Sequence, residues 1–276
     1  MQRSYAAGFA ALGLAVALGI SACGVSQQQE VQLGQQESAQ IQQQLPLVQD
    51  AVINQYVNAL GNQIASHTSR ADLQWQFYVV NTDVVNAFAL PGGIIYVNRG
   101  VLERADRMDE LAGVMGHEIE HVVRRHSVKQ MEQMQGANVG VALACTLTNI
   151  CSNQAAATAI NVGGTAIFAK FSRTDEVQAD EGGFHNVMSA GISPNGMLTF
   201  FQKLLAEEQQ SNNSNVSSWF ADHPGTQDRI ADIQRMLAQV SASQLRSLTT
   251  DTQAFQQMKR RVMSLPPAPR QTTSGQ

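Results

Sequence analysis

His117-Glu118-Ile119-Glu120-His121 is the stretch of this chain whose residue types and spacing suit chemistry best. On a helix, residues four apart differ by about 40° in azimuth and one turn in height. His117 and His121 therefore project from one face and can reach one ion. Neutral imidazole is a good zinc ligand, at about 2.0–2.1 Å. Glu118 sits beside the same face, within reach of a water on the metal. The metal lowers that water's pKa towards ~7, and the carboxylate takes its proton as the water attacks a carbonyl. Two plainer readings compete. One is a chance match among six histidines. The other is a structural zinc site, which would want a fourth protein ligand, usually cysteine, and no cysteine lies close in the sequence.

A third ligand has to come from elsewhere. One large class of zinc proteases continues with a glycine and a third histidine, but Arg124 and Ser127 hold those positions here. The other class takes a glutamate from a later helix. Glu176-Val177-Gln178-Ala179-Asp180 offers one, with Glu176 and Asp180 on a shared helical face. Glu176 would complete a His₂Glu set and leave the fourth position open for water. Asp180, one turn on, would accept a hydrogen bond from the free ring nitrogen of a ligand histidine and fix its tautomer. The bland alternative is a solvated acidic face, since Asp175 and Glu181 are neighbours. The remaining histidines read as uninvolved. His67 falls in a polar loop. His126 follows Arg124 and Arg125 at the far end of the helix, where positive charge suits the helix terminus. His185 points away from Glu176 on its helix.

These residues need elements to hold them. A helix is predicted from Asp109, with Leu111, Val114 and Met115 on its apolar face. Leu47 to Ala65 has helical spacing, with Val48, Val52, Tyr56, Leu60 and Ile64 four apart. Trp75 to Val80 alternates as a strand does. Asn86 to Asn98 holds Pro91-Gly92-Gly93 between two apolar arms, which reads as a hairpin. Further helices are expected from about Thr174, Pro194 and Pro224. Val139 to Leu147 and Ala155 to Phe168 read as buried helices, too short to cross a membrane.

Four stretches together resemble the HtpX, Oma and CAAX-prenyl-protease family of zinc endopeptidases, and its soluble periplasmic lipoprotein members most closely. They are Asn86-Ala87-Phe88-Ala89 with Pro91-Gly92-Gly93; Gly116-His117-Glu118 with His121; Phe171-Ser172-Arg173 with Glu176, Ala179 and Asp180; and His223-Pro224 with Arg229. The resemblance implies a predominantly helical α+β fold of the gluzincin type, with a small β-sheet beside the zinc-binding helix. It implies one Zn2+ per chain held by His117, His121 and Glu176, with Glu118 as general base. His-Pro before a helix is by itself an ordinary loop. In the family this histidine lies near the metal, so His223 would either donate to the oxyanion or occupy the open zinc position in a latent state, with Arg229 nearby. Asn86, Ala87 and Phe88 would offer a strand edge that holds substrate extended.

The rest of the chain bounds the setting. It has 276 residues, 43% hydrophobic and 14% charged, and a net charge of −4. A core of useful size is available, a wholly disordered chain is excluded, and there is no basic excess for nucleic acid. Arg3 followed by the uncharged run Ala6 to Ile20 suits an export signal. Ile20-Ser21-Ala22-Cys23 resembles a bacterial lipobox, which implies cleavage before Cys23 and its acylation; an ordinary secretory signal is the alternative. Gly24 rather than aspartate after it favours the outer membrane. Residues 1–22 are thus expected to be a lipoprotein signal peptide, 23–45 a glutamine-rich tether, 46–265 the metallopeptidase domain and 266–276 a disordered tail. Ser26 to Asp50 contains eleven glutamines; its second half reads as a helix start. Cys145 and Cys151 either close a small disulfide loop in an oxidising compartment or stay as free thiols. Two functions follow. One is an endopeptidase that cuts unfolded or misassembled envelope proteins from the periplasmic face of the outer membrane. The other is a lipid-anchored, chaperone-like assembly factor with a latent zinc site.

Overall fold

The computed structural model describes residues 24–133, 171–210, 219–220 and 222–269. Cys23, the signal segment, Cys145, Cys151 and both apolar runs between 139 and 168 lie outside the described residues.

The described chain is a helical body around a small sheet, an α+β fold of the expected kind. Strands β1 (Gln76–Val80), β2 (Ala87–Leu90) and β3 (Ile94–Asn98) are ordered β1-β3-β2. β1 runs parallel to β3, and β2 pairs with β3 antiparallel across the Pro91-Gly92-Gly93 turn, Leu90 opposite Ile94. All five residues of β3 are buried, as a central strand covered on both faces requires. On one face Tyr78, Tyr96 and Phe88 form a stacked ladder with centroids 5.1 and 5.0 Å apart. On the other, Phe77, Val79, Ala87, Ala89, Ile95 and Val97 join the main core.

Helix α1 (Gln27–Gln44) covers the ladder face, which corrects the expected tether. Ser26 and Gln29 close a capping box at its start. Its buried stripe is Glu30, Gly34, Ser38 and Ile41. A helix docked through a carboxylate, a glycine and a hydroxyl has almost no apolar face to detect. Gly34 is required there, because a Cβ would stand 1.8 Å from the Pro91 carbonyl oxygen. Ser38 Oγ and Tyr96 OH share a 2.7 Å hydrogen bond.

Helix α2 (Ala51–Ala65) starts later than its spacing suggests, because Asp50 caps it by accepting from the amides of Val52 and Ile53. Its buried face is Ile53, Val57, Leu60 and Ile64, while Val52 is exposed, so the apolar stripe is rotated from the expected one. Each such side chain contributes at most about 1.5–3 kcal/mol by leaving water. Helix α3 (Arg99–Arg104) leads into α4 (Met108–Val123), buried at every position from Met108 to Val122. Around α4 pack α5 (Arg173–Ser189) and α6 (Asn195–Gln210). Helices α7 (Thr226–Gln239), α8 (Ala242–Ser247) and α9 (Gln253–Met263) close the body. The expected tail begins attached to it: Arg99 Nη1 donates to the Pro266 carbonyl at 2.6 Å. Among the described residues no helix is long and apolar enough to cross a membrane.

Candidate metal centre

Two helices must bring their backbones close before short side chains from both can share one point. α4 and α5 do so at Gly116 and Gly183. A Cβ on Gly183 would lie 2.8 Å from the Gly116 carbonyl carbon and 2.9 Å from His117 N. The absence of both side chains at this crossing lets His117 meet the first two turns of α5.

His117 and His121 project from one face of α4, as their spacing requires, with their Nε2 atoms 3.0 Å apart. Glu176, in the first turn of α5, sets Oε2 3.5 Å from His117 Nε2 and Oε1 3.6 Å from His121 Nε2. Its negative charge there also suits the helix N-terminus. His223 arrives from the stretch before α7, its Nδ1 3.3 Å from both Glu176 Oε2 and His117 Nε2. One donor atom from each of these four residues lies within 4.8 Å of all the others. All four residues are buried, none more than 3% exposed.

The other ring nitrogen of His117, Nδ1, lies 2.8 Å from Asp180 Oδ1. Asp180 is gripped on both oxygens by Arg229, Nε to Oδ2 at 2.6 Å and Nη2 to Oδ1 at 2.7 Å. Burial alone would raise the Asp180 carboxyl, but Arg229 and His117 outweigh it and hold it well below the usual range. An ionised Asp180 accepts from His117 Nδ1–H, which leaves the Nε2 lone pair facing the cluster. Arg229 spans the site: Nη1 is 2.7 Å from Glu176 Oε2, off the hydrogen-bonding direction, and the guanidinium lies 4.7 Å above the Phe201 ring. Burial opposes ionisation of Glu176 too, but His223, His117 and Arg229 overcome it and lower its pKa. His121 is pushed well below its ordinary value, first by burial and then by the electrostatics of the neighbouring imidazoles and Arg229.

Glu118 differs from these. Both its carboxylate oxygens are buried with no hydrogen-bond partner among the described residues, as is Glu176 Oε1. An unsatisfied buried polar atom costs about 1–3 kcal/mol. Burial raises the Glu118 pKa, an effect His223 and His117 partly offset. The nearest charge partner is His223 Nε2, 3.6 Å from Oε1. Unpaired oxygens and inward-facing imidazole lone pairs are a donor set that a zinc ion and a water would satisfy. Glu120, the other acid of the motif, faces away. It binds Arg124 at 2.7 Å and Asn186 at 2.8 Å, and ties α4 to α5.

Asn86 Nδ2 donates to Asp222 Oδ2 at 2.7 Å, so the β2 edge is fastened beside His223. The Asn98 amide donates to the Asn86 carbonyl. With the observed register, antiparallel alternation then turns Phe88 towards Tyr96 and turns the backbone groups of Ala87 and Ala89 to the outer side. The Phe88 ring also stacks under α1 on the sheet face away from α4. The outward edge is therefore Ala87 and Ala89, not Phe88.

Three residues to which the sequence reading gave no role in the site pack against its histidines. His126, read as uninvolved, is buried with Nδ1 2.9 Å from His121 Nδ1. Five residues on from His121, a continuous helix would carry it about 140° away. The chain instead breaks at Arg124–Arg125, and Arg125 takes φ 58° before helix resumes. Phe171 stacks on the His121 ring at 4.1 Å, and Trp219 on that of His223 at 4.4 Å. Only the four-residue spacing of Trp219 and His223 hinted at the latter.

Two imidazoles and a carboxylate drawn to one buried point by crossing helices, with a second acid alongside whose oxygens have no hydrogen-bond partner among the described residues, are the layout of a protein metal site. The chain belongs to peptidase family M48, whose model matches residues 52–237; this bears out the resemblance read from the motifs. It is 32% identical to the Beta-barrel assembly-enhancing protease of Escherichia coli (strain K12) over 219 residues, 77% of this chain and 44% of that protein. It is 30% identical to Mitochondrial metalloendopeptidase OMA1 of Schizosaccharomyces pombe over 196 residues, 71% of this chain and 56% of that one. Metalloprotease LoiP of Escherichia coli (strain K12) is 31% identical over 177 residues, 64% and 66% of the respective chains. The chain spans about half the length of the first two relatives.

Proposed function

We propose that the chain is a zinc-dependent endopeptidase acting on unfolded or misassembled proteins of the cell envelope. The observation that carries this reading is the buried cluster of His117, His121 and Glu176 beside the Glu118 carboxylate, which has no hydrogen-bond partner among the described residues. Zinc held by those three residues would supply Lewis-acid polarisation of a peptide carbonyl and acidify water. Glu118 takes a proton from the attacking water and returns it to the departing amine nitrogen. Asp180 and Arg229 hold His117 in the tautomer that offers Nε2. His223 Nε2–H donates to the oxygen that gains negative charge at the scissile carbon; the neighbouring Glu176 and Glu118 raise its pKa despite burial, which favours the protonated donor. The outer edge of β2 pairs with an extended peptide through its backbone, largely independent of side chains.

The setting belongs to the same proposal. Cys23 follows a lipobox-like stretch, so the mature chain is anchored by acyl groups at the periplasmic face of the outer membrane. That a Beta-barrel assembly-enhancing protease is among its relatives supports an envelope role.

A Glu118→Gln substitution is expected to keep zinc bound and abolish cleavage of an unfolded protein such as casein. Retained cleavage removes the base assignment. Glu176→Ala should lose zinc by direct metal analysis, and unchanged zinc content would take Glu176 out of the ligand set. One observation favours a second reading, a binding or assembly factor with a latent site: His223 Nδ1 already stands in the donor cluster. Full rescue of a deletion strain by the Glu118→Gln form would favour it.

A further inference from the structure

His121 faces the cluster with Nε2 and turns Nδ1 to His126, 2.9 Å away. Two imidazole nitrogens at that distance share one proton, so one donates and the other accepts. The other nitrogen of His126 decides which. Its Nε2 lies 3.2 Å from Gln178 Oε1 and 3.5 Å from the Asp175 carboxylate, both acceptors. The His126 proton therefore sits on Nε2, and its Nδ1 offers a lone pair. His121 must donate through Nδ1–H, which leaves its own Nε2 bare towards Glu176 and His117. That is the tautomer a metal ligand needs.

The placement of His126 is itself held. The left-handed turn at Arg125 is one that residues with a Cβ rarely adopt. The Arg125 side chain is secured by Glu30 Oε2 at 2.8 Å and by the Val25 carbonyl. Glu30 is fully buried and also accepts from both terminal nitrogens of Arg70 and from the Gly92 amide. A carboxylate on α1 thus fastens the turn that swings His126 back beneath the site.

We propose that His126 is the positioning residue for His121, fixing its tautomer and ring orientation for zinc as Asp180 does for His117. This rests on the reading of His117, His121 and Glu176 as the zinc ligands. The test is zinc affinity of the full chain, measured by competition with a chromogenic chelator, in His126→Ala, His126→Asn and His126→Gln, with His121→Ala as reference. Asparagine carries its amide oxygen where histidine has Nδ1; glutamine reaches the place of Nε2. The expected result is affinity about 10–100-fold weaker for Ala and Gln, and near wild type for Asn. A residue that merely ties the stretch after the Arg125 turn to α5 through Gln178 would give the reverse, rescue by Gln and not by Asn. That reverse pattern, or unchanged affinity in all three variants while His121→Ala loses zinc, overturns the proposal alone. Wild-type affinity in His121→Ala would remove the zinc assignment and this inference with it. Melting curves of the metal-free variants show whether each is folded, and the Asn–Gln comparison is read on the folded forms.

Discussion

At the scale of single residues, the site is a set of acids in different states set by what surrounds each. Asp180 stays ionised because Arg229 grips both oxygens. Glu118 is buried with neither oxygen hydrogen-bonded among the described residues, and burial raises its pKa. Asp109, at the start of α4, shows the same physics outside the site. Burial lifts its pKa to about 6, although Arg107 bonds both its oxygens and opposes the rise. A carboxyl raised on folding binds more protons folded than unfolded between about pH 4 and 6. Stability from this group is therefore present below that window and lost as pH rises through it. Asp109→Asn should remove this dependence. Its melting temperature, compared with that of the parent, should improve steadily from pH 4 to 6 and level off above. A constant difference across the window would show that Asp109 titrates as in the unfolded chain.

At the scale of elements, the decisive contact is the crossing of α4 and α5 at Gly116 and Gly183. The obstacles to a Cβ on Gly183 are backbone atoms, which cannot rotate aside. Gly183→Ala should therefore cost about 1–3 kcal/mol of stability and weaken zinc binding as well, because Glu176 and Asp180 ride on the displaced helix. Denaturant unfolding and chelator competition measure the two effects. Loss of stability with unchanged zinc affinity would mean that the helices can separate without opening the ligand set. The same scale explains why α1 escaped a reading built on apolar spacing. Its docking stripe of Glu30, Gly34, Ser38 and Ile41 holds one large apolar side chain, and a glutamine-rich segment with so little hydrophobic signal reads as a tether. Its docking uses buried ion pairs and a close backbone approach instead, neither of which has a sequence period.

For the whole molecule, the proposed zinc would be a cross-link between α4 and α5. Ligand that binds only the folded state stabilises by about 2.7 kcal/mol at a concentration 100 times Kd. For a domain of 150–250 residues that is a rise of roughly 5–11 °C in melting temperature. Chelation should lower the melting temperature by about that amount, and added zinc should restore it. An unchanged melting temperature in demonstrably metal-free protein would place the metal outside the contacts that hold the body together. Most of the body owes nothing to metal. The sheet, α2 and α4 share one apolar core that runs from Ile53 through Phe77 and Val97 to Met115.

By itself the sequence determined whatever follows from a fixed local geometry. Four-residue spacing on a helix put His117 beside His121 and Glu176 beside Asp180, and a proline-glycine turn folded β2 onto β3. Helical rise and turn are the same in every protein, so these relations needed no knowledge of the rest. Tertiary structure decided which faces met. It rotated the buried stripe of α2, turned Phe88 away from the outer edge of β2, and docked a polar helix through a carboxylate and a glycine. It also broke the helix after Val123, so that His126 came back under His121 instead of leaving with the next turn. Each of these depends on contacts between residues far apart in the chain, and such contacts are fixed by packing and burial, which have no local signature.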